Sequence, residues 1–411
     1  MKTDAAAWSF RAQTAADAVN TNFGHRLLGL PGTWIGSIRS PASNALLPWS
    51  EWHYWWQAHY LDALVDSAWR QHATVLAPAG TSPAVAGPEP GAGRLPEPLQ
   101  RGEALLRTIR IRNFLRLANS FYDDMAWLAL ASGRADALAR RLRPGGLPCA
   151  GRAAAALGAQ LADAHTGDLG GGVFWSRKRD FKNTPATAPS ALYFARNGQP
   201  ERAQDLLDWL RSTLFDPGYG FYMDGVHPHP DGAEIERTIY TYNQGPVMGA
   251  LLELGGGRNL ASAAELIHAI GRHLTQDLAP DGDGGGGASR GGPGSVRRLR
   301  PLRLEGAGDR GLFTGILVRY LSIAARHHAL PEADRGTAAV LVLDTAEALW
   351  SGRRSEPFTA FQQEFVGPPA AQPDAAAVEL STQLQAWMAF ECAFQLCSES
   401  ESGRIRLRLI T

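Results

Sequence analysis

Apolar residues recur along this chain at the three- and four-residue spacing of amphipathic helices, segment after segment. The pattern predicts helices over about 4–23, 51–69, 99–117, 121–131, 152–162, 184–196, 200–214, 234–254, 260–278, 312–325, 332–349 and 378–396. Gly or Pro punctuates most of the junctions. Strand-like alternation of useful length is hard to find, and the Pro/Gly/Ala-rich stretch 73–98 predicts a loop. About twelve helices joined as sequential hairpins in 411 residues suit an all-α (α/α)6 toroid, six inner helices around a funnel and six outer ones wrapping them. An α-solenoid would need a fixed repeat. The chain has no internal self-similarity, so a single closed toroid over residues 1–411 is expected.

One stretch breaks the pattern. Residues 281–308 are mostly Gly and Arg with Pro, and are expected to form a flexible surface insertion because they have little to bury. A nucleic-acid arm is the alternative there, but 40 basic and 40 acidic residues leave the chain neutral, without the basic excess of a nucleic-acid binder. Hydrophobic residues make up 45% of the chain, ample for a large core. The cysteines, Cys149, Cys392 and Cys397, are too few for a disulfide framework and lack metal-ligand spacing, so buried free thiols are expected. The chain runs from Met1 into a helical pattern without a leader-like segment, and no long apolar run follows, so a cytoplasmic location and no membrane span are expected.

The most informative stretch is Asn119-Ser120-Phe121-Tyr122-Asp123-Asp124-Met125-Ala126-Trp127. Ser120 with Asp123 has capping-box spacing, which would place both carboxylates in a first helical turn. Two acids at a helix start need no function. The aromatics change the picture: Tyr122 precedes the pair, and Trp127 follows Asp123 by four residues, on the same face. Rings stack on pyranose faces while carboxylates do the chemistry. Retaining glycosidases need two carboxyl groups roughly 5–5.5 Å apart, one attacking and one transferring the proton. So close together, the two acids split in acidity, and the sequence alone does not say which is which.

Other stretches read as site loops. Gly170-Gly171-Gly172-Val173-Phe174-Trp175 is a Gly-rich turn ending in aromatics, without the Lys-Ser/Thr of a phosphate loop. Lys182-Asn183 leads into a helix at Thr184-Pro185. Tyr242-Asn243-Gln244 puts two amides in an apolar helix, where either sugar hydroxyls or structural hydrogen bonds would satisfy them. His53, His59, His227 and His229 lack paired metal spacing and read as packing or surface residues, with His227-Pro228-His229 in a loop.

With these segments in order, the chain resembles glycoside hydrolase family 76, the α-1,6-mannanase family. The resemblance rests on Tyr54-Trp55-Trp56-Gln57-Ala58, Tyr122 to Trp127, Gly171 to Trp175 with Lys182-Asn183, Tyr240 to Gly245, and Phe313 to Leu321. It implies an (α/α)6 barrel and a retaining, endo-acting cleavage of α-1,6-mannan without metal or cofactor. It also implies Asp123 as nucleophile and Asp124 as acid/base, with Tyr122, Trp127, Trp175, Asn183, Tyr242, Asn243, Gln244 and Asp309 as sugar contacts. The expected partner is an α-mannan or mannooligosaccharide, with neither nucleic acid nor a membrane. A transglycosylase using the same pair, or a non-catalytic glycan-binding toroid, are the alternatives. The oligomeric state is left open.

Overall fold

A computed structural model of the chain describes residues 4–41, 50–73, 94–230, 232–278, 298–356, 358–365 and 377–402. Among them lie twelve α-helices: α1 (Ala5–Asn22), α2 (Tyr54–Gln71), α3 (Glu97–Arg112), α4 (Tyr122–Leu142), α5 (Pro148–Ala164), α6 (Thr184–Arg196), α7 (Pro200–Thr213), α8 (Thr241–Leu254), α9 (Gly256–His273), α10 (Phe313–Arg326), α11 (Glu332–Ser351) and α12 (Leu380–Glu401). The even-numbered helices pack in a ring, α2 on α4, α4 on α6 and onward to α12, which closes back on α2. The odd-numbered helices lean on the outside of that ring. The architecture is an all-α (α/α)6 toroid.

Sequence pattern explains which helix goes where. Every residue of α12 from Leu380 to Cys397 is buried, as an inner helix wrapped on all sides must be. The outer α9 buries only one stripe, Asn259, Ala263, Leu266, Ile267, Ala269 and Ile270, at helical spacing. Inner helices also need small residues where neighbours crowd. A Cβ on Gly245 of α8 would sit 2.7 Å from the Tyr320 ring of α10, so glycine is what lets these two helices meet. Because each outer helix returns the chain to its starting end, all six inner helices begin at one mouth of the ring.

The described structure departs from the pattern in four places. Helix α3 stops at Arg112 rather than near 117, because Phe114 and Leu115 adopt positive φ. Helix α4 runs on to Leu142, well past the expected 131. The segment 234–240 is not helix. Gly232–Glu236 is the edge strand of a three-stranded antiparallel sheet with Gly225–His229 and Lys182–Asn183, in register Val226↔Ile235 and Lys182↔Val226. The expected loop at His227-Pro228-His229 is therefore the middle strand of that sheet.

The fourth departure concerns the expected flexible insertion. Its part at 281–297 lies outside the described residues. Its remainder, 298–308, is well tied down: Leu302 is buried, its N–H donates to Thr345 Oγ1 at 2.9 Å, and Arg303 N–H donates to the Leu274 carbonyl at 2.8 Å. Gly/Arg composition misled there because a few apolar residues, Leu302 foremost, suffice to anchor a short extended segment. The loop expected at 73–98 lies largely outside the described residues as well, and α3 already begins at Glu97. Cys392 and Cys397 are buried and all three thiols are free.

Candidate active site

Asp123 and Asp124 occupy the first turn of α4, at the mouth where the inner helices begin. The capping box is not formed. The residue before the helix is Phe121, with no side-chain cap, and Ser120 does not bond Asp123. Instead Asn119 holds the turn: its Oδ1 accepts from Phe121 N–H at 2.9 Å, and its Nδ2 donates to Asp124 Oδ2 at 2.5 Å. Asp123 Oδ1 accepts from the Asp124 N–H at 2.9 Å, and Asp123 Oδ2 accepts from the Trp175 indole at 3.0 Å.

These surroundings separate the two acids. Burial pushes Asp123 up to about 7, opposed by the Asp124 amide and the Trp175 indole, with the Asp224 charge adding to the rise. Asp124 is raised well above the usual carboxylate range, first by burial and then by the charge of Asp123, which its bond from Asn119 only partly offsets. Of the pair, Asp123 is the easier to ionise and Asp124 the one that keeps its proton.

Trp175 reaches Asp123 because the loop before it is rigid. Gly171 and Gly172 have φ of 141° and 74°, and a Cβ on Gly172 would meet the Trp209 ring at 2.6 Å. Lys182 Nζ lies in a cup of carbonyls, donating to Thr166 at 3.2 Å, Asp168 at 2.6 Å and Gly171. The Gly-rich turn is thus a fixed bracket, with Phe174 buried and the Trp175 ring left exposed at the mouth.

Aromatics and acids from the other inner helices complete the rim. Trp55 and Trp56 of α2 both donate their indole N–H to Asp309 Oδ1, at 3.0 and 2.8 Å. Tyr242 of α8 stacks on Phe313 of α10, rings 3.8 Å apart, and lies near enough to Asp224 and Asp123 for their charges to raise its hydroxyl further above its ordinary range, beyond what burial does. Tyr122 lies half-buried under the Arg177 guanidinium.

The structure sorts the other expected sugar contacts. Gln244 is not available to a sugar: its Oε1 accepts from Tyr222 N–H at 2.9 Å, and its Nε2 donates to the Tyr222 and Tyr240 carbonyls. It staples the strand Phe221–Tyr222 to α8, because that strand has an open backbone edge to satisfy. Asn183 commits its oxygen to capping α6, accepting from Ala186 N–H at 3.1 Å. Trp127, only 4% exposed, lies against the His59 ring at 4.9 Å and forms floor beneath the mouth rather than an open platform. His59 itself is packed between Trp55 and Trp127, and burial lowers it to about 3, so it stays neutral.

Sequence reasoning missed Asp224. It follows the strand Phe221–Tyr222, and its carbonyl accepts from Thr184 N–H at 2.7 Å, which latches the turn to the start of α6. Its Oδ1 accepts from Asn243 Nδ2 at 3.0 Å, while Asn243 Oδ1, fully buried, has no partner among the described residues. Burial pushes Asp224 up to about 6, opposed by the Asn243 bond. The available signal was a lone acid between apolar residues and a glycine, Met223-Asp224-Gly225, in a stretch without helical period. Among the described residues no cluster of His, Cys, Asp and Glu could hold a metal ion.

Known proteins share this fold. The sequence profile of glycosyl hydrolase family 76 matches residues 108–279, which hold the tandem aspartates and the Asn243-Gln244 pair. The α-1,6-mannanase of Salegentibacter sp. HEL1_6 superposes with a TM-score of 0.71 at 27% identity, over 95% of this chain and 99% of its own. Over residues 108–279 the chain is similar to glycoside hydrolase family 76. An inactive variant of that mannanase, with two consecutive aspartates changed to asparagine, has been solved with α-1,6-mannotriose, at 26% identity, a TM-score of 0.71 and the same coverage. A family 76 mannosidase of Bacteroides thetaiotaomicron shares the fold at 15% identity, with a TM-score of 0.68 over 97% of this chain and 100% of its own. No curated protein sequence is significantly similar to this chain. Among the described residues no helix is long and apolar enough to cross a membrane.

Proposed function

We propose that this protein is a glycoside hydrolase of family 76, a retaining endo-α-1,6-mannanase in which Asp123 attacks the anomeric carbon and Asp124 protonates the leaving oxygen. The observation that carries the reading is the unequal bonding of the tandem pair at the mouth of the toroid: among the described residues, Asp123 accepts from two N–H groups held by the fold, and Asp124 from the Asn119 amide alone. Asp123 has a backbone and an indole N–H to stabilise its anion. Asp124 faces that anion and holds its proton. In the first step the Asp123 carboxylate forms a glycosyl ester as the C–O bond breaks, and the Asp124 proton moves to the departing sugar oxygen. In the second, Asp124, now ionised, takes a proton from water, which attacks the anomeric carbon of the ester, breaks its bond to the Asp123 oxygen and frees the carboxylate. The α-1,6-linked substrate is carried over from the mannanase relative that binds α-1,6-mannotriose. On this reading we assign the sugar contacts to Trp175, Tyr122, Tyr242, Asp224, Asn243 and Asp309.

The test is digestion of an α-1,6-mannooligosaccharide, with product sizes read by mass spectrometry and the anomer first formed read by NMR. Short oligosaccharides with retained configuration are expected, and an intact substrate would overturn the reading. With an activated aryl mannoside, Asp124→Asn should still form the glycosyl-enzyme and be rescued by azide to a retained product. Asp123→Asn should lose labelling for every substrate. The opposite result would reverse the two roles.

A further inference from the structure

At the end of the toroid opposite the carboxylate pair, the inner helices surround a cavity of about 130 Å3. Four arginines line it: Arg134 of α4, Arg196 of α6, and Arg319 and Arg326 of α10, with Asp62 as the one acidic lining residue. The carboxylates that balance the outer arginines stand behind the wall. Arg196 Nε meets Glu253 at 3.2 Å and Arg326 Nη1 meets Glu399 at 3.1 Å, and neither glutamate lines the cavity. At its base Arg319 bridges Asp62 and Asp66, at 3.1 and 2.7 Å, and Arg134 pairs with the same two carboxylates.

Two observations distinguish this from an inert ion-pair network. Arg319 is 6% exposed, yet its Nη2 has no hydrogen-bond acceptor among the described residues. A buried guanidinium donor left without an acceptor is costly, and it marks a place where a ligand oxygen or water belongs. The lining is also lopsided, since four cations and one anion face a space large enough for a few waters or one oxyanion. Arg196 and Arg326 end their helices, where a cation also answers the partial negative charge of terminal carbonyls. That does not account for Arg319, in the middle of α10. The arginines at the rim remain partly open to solvent, with side-chain exposures of 29% for Arg134, 27% for Arg196 and 24% for Arg326, so a small ion has a way in.

We propose that this cavity binds a small oxyanion of the phosphate or sulfate class, held by charge-assisted hydrogen bonds from Arg319 at the base and Arg196 and Arg326 at the rim. Bound there, it would tie α6 and α10 together at the end remote from the sugar site. The experiment titrates inorganic phosphate into the full chain at neutral pH and fixed ionic strength, with chloride as the balancing anion, followed by calorimetry. One saturable site is expected, competed by sulfate and unaffected by saturating α-1,6-mannotriose. R196Q and R326Q should each weaken it by about tenfold or more while still melting cooperatively in chloride. No saturable binding would overturn the proposal, leaving a water-filled cavity. So would binding that both variants retain, or that the oligosaccharide displaces, since either places the ion elsewhere.

Discussion

At the scale of single residues, the carboxyl groups at the mouth are held in a state that folding alone would not choose. Asp123 ionises near 7 in the folded protein and near the ordinary carboxylate value when unfolded, chiefly because it is buried. Between those values the folded state binds more protons than the unfolded one, so this group's contribution to stability falls as pH rises. Asp123→Asn removes the ionisation. It should leave stability nearly unchanged at pH 4 and raise it by on the order of 1–2 kcal/mol above pH 7, as Asp123 keeps part of its surface in the open mouth. Urea unfolding at both pH values checks this, and equal effects at the two would contradict it. Trp175 is the residue that positions Asp123 and favours its anion. Trp175→Phe keeps the ring but loses the indole N–H. The acid limb of kcat/KM should then move up by on the order of one pH unit, a shift that a merely loosened loop would not produce.

At the scale of elements, helices were legible in the sequence wherever one stripe or a whole surface had to be apolar. The expected 184–196 and observed α6 coincide, because Asn183 caps the start and Asn197 follows the end. Failures came where long-range contacts decide. The segment 232–236 has the apolar spacing to extend α8 backwards, but it pairs instead with Gly225–His229, a partnership invisible to local periodicity. The tandem acids, Trp175, Tyr242 and Asp309, which the fold gathers at one mouth, were legible as residue types in order. The neighbour Asp224 was not, because only the latch between Thr184 and the Asp224 carbonyl brings it to the mouth. Gln244 was legible as a buried amide but not as a staple. Gln244→Leu would leave the Tyr222 N–H and the Tyr222 and Tyr240 carbonyls short of partners. It should cost about 2–4 kcal/mol in urea unfolding while KM for mannooligosaccharide stays nearly constant in the folded fraction. A large rise in KM with unchanged stability would restore Gln244 as a sugar contact.

At the scale of the whole molecule, closing six helices into a ring leaves a central shaft, and its two ends are treated differently. The mouth gathers helix starts, aromatic rings and carboxyl groups. The far side is sealed by charge: Asp62 and Asp66 of α2 meet Arg134 of α4 and Arg319 of α10, joining three inner helices. Burial alone would raise Asp62, but Arg134 and Arg319 outweigh it and hold the group near 2. Its pairing therefore supports the fold above the ordinary carboxylate value and is lost as pH falls towards 2. Periodicity could not reveal this network, because Asp62, Asp66, Arg134 and Arg319 read as breaks in otherwise apolar inner faces. Removing one partner strands the others: Arg319→Met leaves two buried carboxylates sharing Arg134 alone, and should cost about 3–5 kcal/mol near neutral pH. Adding Asp66→Leu to that change removes one stranded charge and should recover part of the loss, so the double variant would be more stable than Arg319→Met alone. Chemical unfolding of the wild type, both single variants and the double variant measures the coupling directly. Strictly additive losses would mean that the four charges act independently, and that apolar packing rather than this network holds the closed end of the toroid together.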